Sequence, residues 1–419
     1  MRRALVLVVD GWGAGFLGPY GNTWLETPAL NHWATQSKLF ERCIVPSLSL
    51  PDFYRSCFSG VLPGAAETSF NLAKILGDNQ IPLHLLSDDA QVLPGVEDFG
   101  LASAEFLPEM EPMTVDSIET TQLARMMSVL LDWAEEPGGD EVVWAHSQGM
   151  LGSWDAPLEM RQALADEDDP DPPSWVIPPC MRSDKTFDPD EILGFTQAYS
   201  AQVVLLDMLL DELIGTIEEL PIDQQPLVIL TSSGGFPLGL HGQIGRDENT
   251  ATRLFSDTVQ VPLLIRQPGG KDGMLREQGL VQSHDISATL LNWFGVDQNL
   301  LPTTAGSGQG LLNAAEQPPR DRAYCSFEQQ RQLITPVWSA SLELPAEVQS
   351  TPSIDSPDQN IACELFVKPD DRWEMNNVAS RCQAIVDGMT QAAVELEHAI
   401  QSGATQLPPL AEELLAPLG

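Results

Sequence analysis

Short apolar runs alternate along the first 300 or so residues with segments whose apolar side chains recur at helical spacing. The apolar runs predict buried strands over residues 4–9, 42–46, 82–86, 140–146, 227–231 and 261–265. Helix-start residues and helical spacing predict helices from Pro28, from Pro51, over 190–220 and over 286–294. This alternation predicts an α/β fold, a mostly parallel sheet flanked by helices.

The pattern changes after residue 319. Two segments that suit antiparallel strands, 338–344 and 364–368, precede a helix predicted over 383–400. We therefore expect a large α/β domain over residues 1–319 and a smaller α+β domain over 320–419. Between the domain's strands, residues 165–190 are so rich in Asp and Pro that they predict an exposed, mobile loop.

Charge excludes several partners. Sixty acidic and 21 basic residues give a net charge of −39, which argues against binding to nucleic acid and against electrostatic steering of polyanions. No apolar run reaches the roughly 18 residues that a membrane span needs. The six cysteines are scattered without metal or disulfide spacing, so we expect reduced thiols and a cytoplasmic protein.

Short motifs follow one another in a fixed order along nearly the whole chain. They are Val9-Asp10-Gly11, Leu17-Gly18-Pro19-Tyr20-Gly21, Thr27-Pro28-Ala29-Leu30, Ser283-His284-Asp285-Ile286 and Asn376-Asn377-Val378-Ala379. Their order resembles the sulfatase branch of the alkaline phosphatase superfamily. The resemblance implies an alkaline phosphatase-like fold and sulfuric ester hydrolysis, carried out with a divalent cation, a formylglycine and basic residues that bind the sulfate.

The metal ligands that the resemblance implies are mostly absent. Asp10 ends the first strand, where one ligand belongs, but Gly11 follows it where sulfatases have a second Asp. The family segment Thr-Ser-Asp-His-Gly or Thr-Ser-Asp-Asn-Gly is represented by Thr231-Ser232-Ser233-Gly234-Gly235. Calcium requires six to eight oxygens, usually with several carboxylates. We therefore expect no firmly bound cofactor, with Asp10 as a partial ligand of a weakly held calcium or magnesium ion.

Three residues are candidates for catalysis. Ser49, in Ser49-Leu50-Pro51, keeps the start of the sulfatase motif, but Phe53 replaces its arginine, which argues against a formylglycine. Ser49 could act as a plain hydroxyl nucleophile if a base activated it, or it could simply begin a helix. His241 and His146 match family histidines, and each could equally be structural.

The anion-binding groups are altered as well. Asp88 and Asp89 stand where sulfatases carry cations, and the lysine after the metal strand has no counterpart, Ala251 being the aligned residue. Aromatic, amide and charged residues instead predict a pocket for a neutral or cationic ligand: Arg55, Trp144, Gln148, Trp154 and Asp155. The alternative is a loop packed by its aromatic side chains.

Three functions therefore remain open. The first is a sulfatase-like ester hydrolase of attenuated or lost activity. The second is a pseudoenzyme that binds a ligand or a protein partner. The third is a phosphoesterase or transferase with ligands recruited from Asp247 or Asp257. A small molecule or saccharide is the expected ligand, without nucleic acid or membrane; the sequence identifies no protein partner.

Overall fold

The structure is a computed structural model. It describes residues 2–66, 68–108, 110–113, 115–136, 138–183, 187–246, 252–314, 317–344 and 361–416. Asp247 and Ala251 lie outside these ranges. Within the described ranges, no helix combines the length and apolar character needed to cross a membrane.

A large sheet of eight strands forms the centre of the molecule. Its order is β10-β2-β9-β7-β1-β5-β3-β4, and every pairing is parallel except those that β9 makes with β7 and β2. The strands are β1 (Arg3–Val9), β2 (Lys38–Ile44), β3 (Leu83–Ser87), β4 (Ser103–Phe106), β5 (Glu141–Ser147), β7 (Leu227–Thr231), β9 (Gln260–Arg266) and β10 (Arg276–Gln282). The predicted mostly parallel α/β sheet is confirmed.

Helices cover both faces of this sheet because its central strand is apolar on both sides. In β1, Ala4, Val6 and Val8 join one core and Leu5, Leu7 and Val9 join the other. The first core is covered by α2 (Leu50–Ser59), α3 (Leu72–Asp78), α4 (Leu93–Val96) and α9 (Asp285–Phe294). The second is covered by α1 (Pro28–Thr35), α5 (Gln122–Glu135) and α7 (Pro189–Glu219), with α6 (Leu158–Gln162) packed on α7.

A smaller antiparallel sheet follows at the C-terminal end. Its strands are β11 (Ala323–Phe327), β12 (Gln330–Ile334), β13 (Trp338–Glu343) and β14 (Cys363–Val367), in sequence order. Helix α10 (Gln383–Gln401) covers this sheet and shares a third apolar core with it. The predicted boundary near residue 320 falls just before β11.

The acidic, proline-rich segment over 165–190 packs more tightly than the sequence indicates. Its described part has no helix before α7, but the fully buried Arg161 donates a hydrogen bond of 2.7 Å to the carbonyl of Pro173. The ring of Trp175 lies 4.6 Å from that of Phe195. Near its end, β6 (Met181–Arg182) pairs with β8 (Gln243–Ile244). No described residue of the segment is buried, in agreement with the predicted exposure, but its apolar and backbone groups make these contacts with the rest of the fold.

Candidate binding site

A crevice of about 660 Å³ opens at the carboxyl ends of β1, β3 and β5, the edge where open α/β sheets bind ligands. Asp10, Asp88 and Gln148 each follow one of these strands and line it. Apolar side chains complete much of the wall: Leu48, Leu50, Phe106, Leu107, Leu151, Ile177 and Phe327. Among the described lining residues, Arg246 is the one cation.

Asp10 is held by an ion pair at the end of β1. Its carboxylate, in a residue only 4 % exposed, pairs with the guanidinium of Arg246 and accepts a hydrogen bond from the hydroxyl of Ser233. The amide of Gly11 donates a third bond of 2.9 Å to the same oxygen. Asp10 is therefore neutralised by a side chain, and its charge is already compensated within the fold.

The space for the guanidinium exists because residue 234 is a glycine. A Cβ atom on Gly234 would lie 2.7 Å from Nη1 of Arg246, well inside contact distance. The guanidinium also donates to the carbonyl of Leu48 at 3.4 Å. Ser233 and Gly234 thus form one arrangement with Arg246, because Ser233 donates to Asp10 and Gly234 leaves room for the guanidinium.

The backbone that carries Arg246 is fixed by close packing. It follows β8, whose pairing with β6 anchors it. Gly245, between β8 and Arg246 in the chain, has a φ of +65°. It packs so tightly that an added Cβ atom would lie 1.9 Å from the carbonyl oxygen of Pro179. Only glycine fits a left-handed conformation at such a distance from another backbone. The position of Arg246 is therefore built into the fold.

Substituting Gly234 tests this arrangement. Gly234→Ala should lower the free energy of unfolding by about 1–3 kcal/mol because the added methyl overpacks the guanidinium and Leu48. The loss of stability caused by Gly234→Ala should be smaller in an Arg246→Ala background, because the guanidinium that the methyl would overpack is absent. Denaturant unfolding of the single and double variants measures the coupling, and Gly77→Ala, which adds a methyl where no atom lies within 4 Å, is the control. Equal costs in both backgrounds would contradict the coupling.

These residues do not fit the divalent cation that the resemblance implies. One carboxylate, already paired, stands beside Gly11 and Gly234, which have no side-chain ligands. Within the described residues, no group of three or more His, Cys, Asp or Glu side chains is placed to hold a metal ion. A hard cation at Asp10 would have to displace Arg246, and the nearby Asp88 carboxylate already accepts hydrogen bonds from Ser147 and Gln148, so the described residues fall short of its preferred shell.

Ser49, the candidate nucleophile, caps the next helix. It is the N-cap of α2, and its hydroxyl accepts a hydrogen bond of 3.4 Å from the amide of Asp52. It lines a neighbouring cavity, with Tyr324 and Glu397, and not the crevice. Phe53, in the place of the family arginine, is fully buried in the core. Arg55 was expected to line the pocket. Its side chain instead points outward and pairs with Asp52 at 3.1 Å.

His146 is buried beside the ion pair. Burial lowers its pKa to about 4, so the imidazole is neutral at pH 7. Neither ring nitrogen has a hydrogen-bond partner in the described residues, and the ring makes an edge contact with Tyr54 at 5.5 Å. A neutral, enclosed imidazole supplies no positive charge to an anion.

Acidic groups line the rim where sulfatases carry cations. The carboxylate of Asp88 accepts bonds from the amide of Gln148 at 2.7 Å and from the hydroxyl of Ser147 at 3.0 Å. Burial nevertheless raises its pKa. Asp89 lines the crevice beside it. Gln148 lines the crevice, and Asp88 fixes the loop that carries it.

Several predicted pocket residues lie elsewhere. Trp144 and Trp154 are fully buried in the cores on opposite faces of the sheet, which corrects the expectation that they line a pocket. Asp155 binds the amide of Gln122 at 2.7 Å, at the start of α5, and lines a smaller cavity of about 40 Å³; burial raises its pKa. His241 stacks on Phe255 at 3.7 Å, and burial lowers its pKa.

Arg246 is the functional residue that the sequence interpretation missed. The sequence does show a basic residue four positions after Gly242. Ala251, and not Arg246, was nevertheless aligned with the lysine of the sulfatases. The loop is rich in glycine, so its register cannot be fixed by hydrophobic pattern alone.

This fold, with its large sheet and small C-terminal sheet, is shared with solved sulfatases and with a phosphonate monoester hydrolase. The resemblance drawn from the sequence is therefore confirmed for the fold. The phosphonate monoester hydrolase of Agrobacterium radiobacter superposes with a TM-score of 0.71 at 16 % identity, over 95 % of this chain and 96 % of its own.

Sulfatase structures superpose as well. A putative sulfatase from Bacteroides thetaiotaomicron has a TM-score of 0.67 at 12 % identity, over 95 % of this chain and 93 % of its own. A structure in complex with its substrate D-glucosamine-2-N,6-O-disulfate has a TM-score of 0.64 at 13 % identity, over 96 % of this chain and 98 % of its own. No protein-family model and no curated protein sequence matches the chain significantly.

Proposed function

We propose that this sulfatase-fold protein binds a ligand in its crevice without metal-dependent ester hydrolysis. The observation that supports this function is the ion pair between Asp10 and Arg246, completed by Ser233. It neutralises the one carboxylate left from the family's metal site and fills the space beside Gly234. The described residues of the site do not suit a divalent cation and include no activated nucleophile, and Arg246 is already paired, so we expect no stabilisation of the charge of a leaving sulfate.

The proposed ligand is an amino sugar that carries no sulfate. Asp88 and Asp89 stand on the rim, and the guanidinium of Arg246 is already paired, so the crevice repels a dianion and favours a neutral or cationic group. The half-buried rings of Phe106 and Phe327, beside amide and carboxylate acceptors, suit a sugar ring. The complex of a relative with a glucosamine disulfate supports the choice of a saccharide.

Metal analysis and turnover assays test the loss of hydrolysis. Purified protein should carry less than stoichiometric calcium, magnesium, manganese or zinc. It should hydrolyse aryl sulfates, aryl phosphonate monoesters and aryl phosphodiesters no faster than its Asp10→Asn variant. Stoichiometric metal, or turnover that Asp10→Asn abolishes, would show that the chain is a hydrolase after all.

Thermal unfolding with saccharides tests the ligand. Glucosamine oligomers should raise the melting temperature, N-acetylated oligomers should raise it less, and sulfated glucosamine should have no effect. Asp89→Asn should weaken the response to glucosamine oligomers, whereas Asp98→Asn, an exposed acid outside the crevice lining, should not. A response to the sulfated sugar alone would contradict the proposed ligand.

A further inference from the structure

A second cavity of about 450 Å³ lies on the other side of the loop that follows β7. None of its described lining residues also lines the crevice. Its walls come from the loop after β1, the loop after β7, the short helix α8 (Ser256–Val259) and the loop after β14. Seven of its fifteen described lining residues have apolar side chains: Ala14, Phe16, Phe236, Leu238, Leu240, Trp373 and Met375.

Two large apolar side chains stand exposed at this cavity. Trp373 is 46 % exposed and Met375 is 65 % exposed, although both belong to an ordered loop. The carboxylate of Asp371 accepts hydrogen bonds from the amides of Met375 at 2.9 Å and Asn376 at 2.8 Å. The loop is therefore folded on itself while its apolar side chains face outward, an arrangement that marks an interaction site.

Glu374, between the two, anchors the loop to the large domain. It is 1 % exposed, has a φ of +56°, and accepts bonds from the amide and hydroxyl of Ser256 at 2.7 and 2.8 Å. The ammonium of Lys368 completes the anchor at 3.1 Å. Turning Glu374 inward turns its neighbours outward, so the fold holds Trp373 and Met375 in place before any ligand arrives.

A cation without a close partner lies at the same place. The guanidinium of Arg372 is 5.0 Å from the ring centroid of Trp373, and no hydrogen bond or ion pair joins it to any residue that the structure describes. Its interaction with Glu41 is a longer-range one, and the carboxylate of Glu41 already accepts from Arg276 at 2.9 Å. Although the chain has 60 acids and 21 bases, Arg372 has no ion pair with any described residue, so its guanidinium can bind an anion.

The acid in the cavity wall does not cancel this charge. Both carboxylate oxygens of Asp257 are shielded from solvent and lack hydrogen-bond partners in the described residues. Burial, reinforced by the charge of Glu374, raises its pKa to about 7. At pH 7 about half of this group is therefore protonated.

We propose that this cavity is a second binding site, for a small amphiphilic monoanion. The apolar body of the ligand, aliphatic or aromatic, packs on Trp373 and into the cleft beside Phe236 and Leu238. Its carboxylate or sulfonate pairs with Arg372, since a guanidinium forms two parallel bonds to such a headgroup. The site is independent of the crevice and of the function proposed for it.

Calorimetric titration with decanoate tests the site, at about 150 mM salt so that the repulsion between net charges is screened. The anion should bind the full chain, and Arg372→Gln should weaken binding about tenfold, the loss expected for one charge-assisted contact. Arg381→Gln is the matched control, because it removes an exposed arginine of the same domain that does not line the cavity. It should change the affinity less than twofold.

Two further measurements separate the body of the ligand from its headgroup. Trp373→Ala should weaken decanoate binding at least as much as Arg372→Gln, with the melting temperature of the free protein recorded to show that both variants fold. Decylamine, which has the same chain and the opposite charge, should bind more weakly than decanoate. Equal affinity for the amine, or decanoate binding that neither variant alters, would overturn the proposal, as would the absence of decanoate binding.

Discussion

Replacing Arg246 by methionine should lower the free energy of unfolding by about 3–5 kcal/mol. Asp10, 4 % exposed, would remain buried with only the Ser233 hydroxyl and the Gly11 amide as partners. Removing one member of a buried ion pair leaves an uncompensated charge, which accounts for a cost of this size. Denaturant unfolding measures it. Arg55→Met, which breaks the exposed pair with Asp52, is the control and should cost at most about 1 kcal/mol.

Removing both charges distinguishes the ion pair from general packing. The double variant Asp10→Leu, Arg246→Met should recover most of the loss, because no buried charge is left. Neither variant should become more stable with calcium, since no group of three or more His, Cys, Asp or Glu side chains in the described residues is placed to hold a metal ion. Additive losses, or a calcium-dependent rise in stability of Arg246→Met, would show that Arg246 does not serve as the counterion.

Asp257→Asn should stabilise the protein increasingly as the pH rises. The pKa of Asp257 is about 7 in the folded chain, because of burial first and the charge of Glu374 second, against 3.8 as the ordinary value. Below pH 4 the group is protonated in both states. Between pH 4 and 7 the unfolded chain releases the proton first, so the stability of the native protein falls with pH. At about 1.4 kcal/mol per pKa unit, the whole change approaches about 4 kcal/mol.

The measurement is the difference in unfolding free energy between Asp257→Asn and the unmodified chain from pH 4 to pH 8. Asparagine does not ionise, so the difference should grow over this window and level off above pH 7. Asp223→Asn removes one charge from an exposed turn and calibrates the effect of lowering the net charge. A difference that stays constant with pH would mean that Asp257 has no raised pKa.

Six of the eight strands of the large sheet could be predicted from local pattern, but only four of the nine helices that the structure describes in the large domain. The strand over 227–231 was placed at its observed bounds because a short apolar run that ends in small residues is typical of a buried parallel strand. Helix α9 ends at Gly295 as predicted, since glycine adopts the left-handed conformation that stops a helix, with a φ of 72°. The strands β10 and β4 were not predicted, because β10 is polar and exposed over much of its length and β4 is short.

Local pattern was a poor guide to which side chains meet in the crevice. Trp144 and Gln148 are four residues apart, yet one is buried in the core and the other lines the crevice. The difference arises because β5 ends at Ser147, so Trp144 points into a layer of helices while Gln148 begins the loop. An aromatic residue near the end of a strand can either be buried in the core or line a crevice, and its type alone does not indicate which.

The sequence by itself determined the fold, through the order of its strands and motifs, and it shows no carboxylate or imidazole at Gly11, Ser233 and Gly234. Tertiary structure alone decided which side chain pairs with Asp10. Arg246 follows Ser233 by 13 positions and reaches Asp10 because β6 and β8 pair, Gly245 packs against Pro179 and Gly234 leaves a space. Hydrophobic pattern specifies which residues are buried, whereas the meeting of two charges depends on contacts between segments distant in the chain.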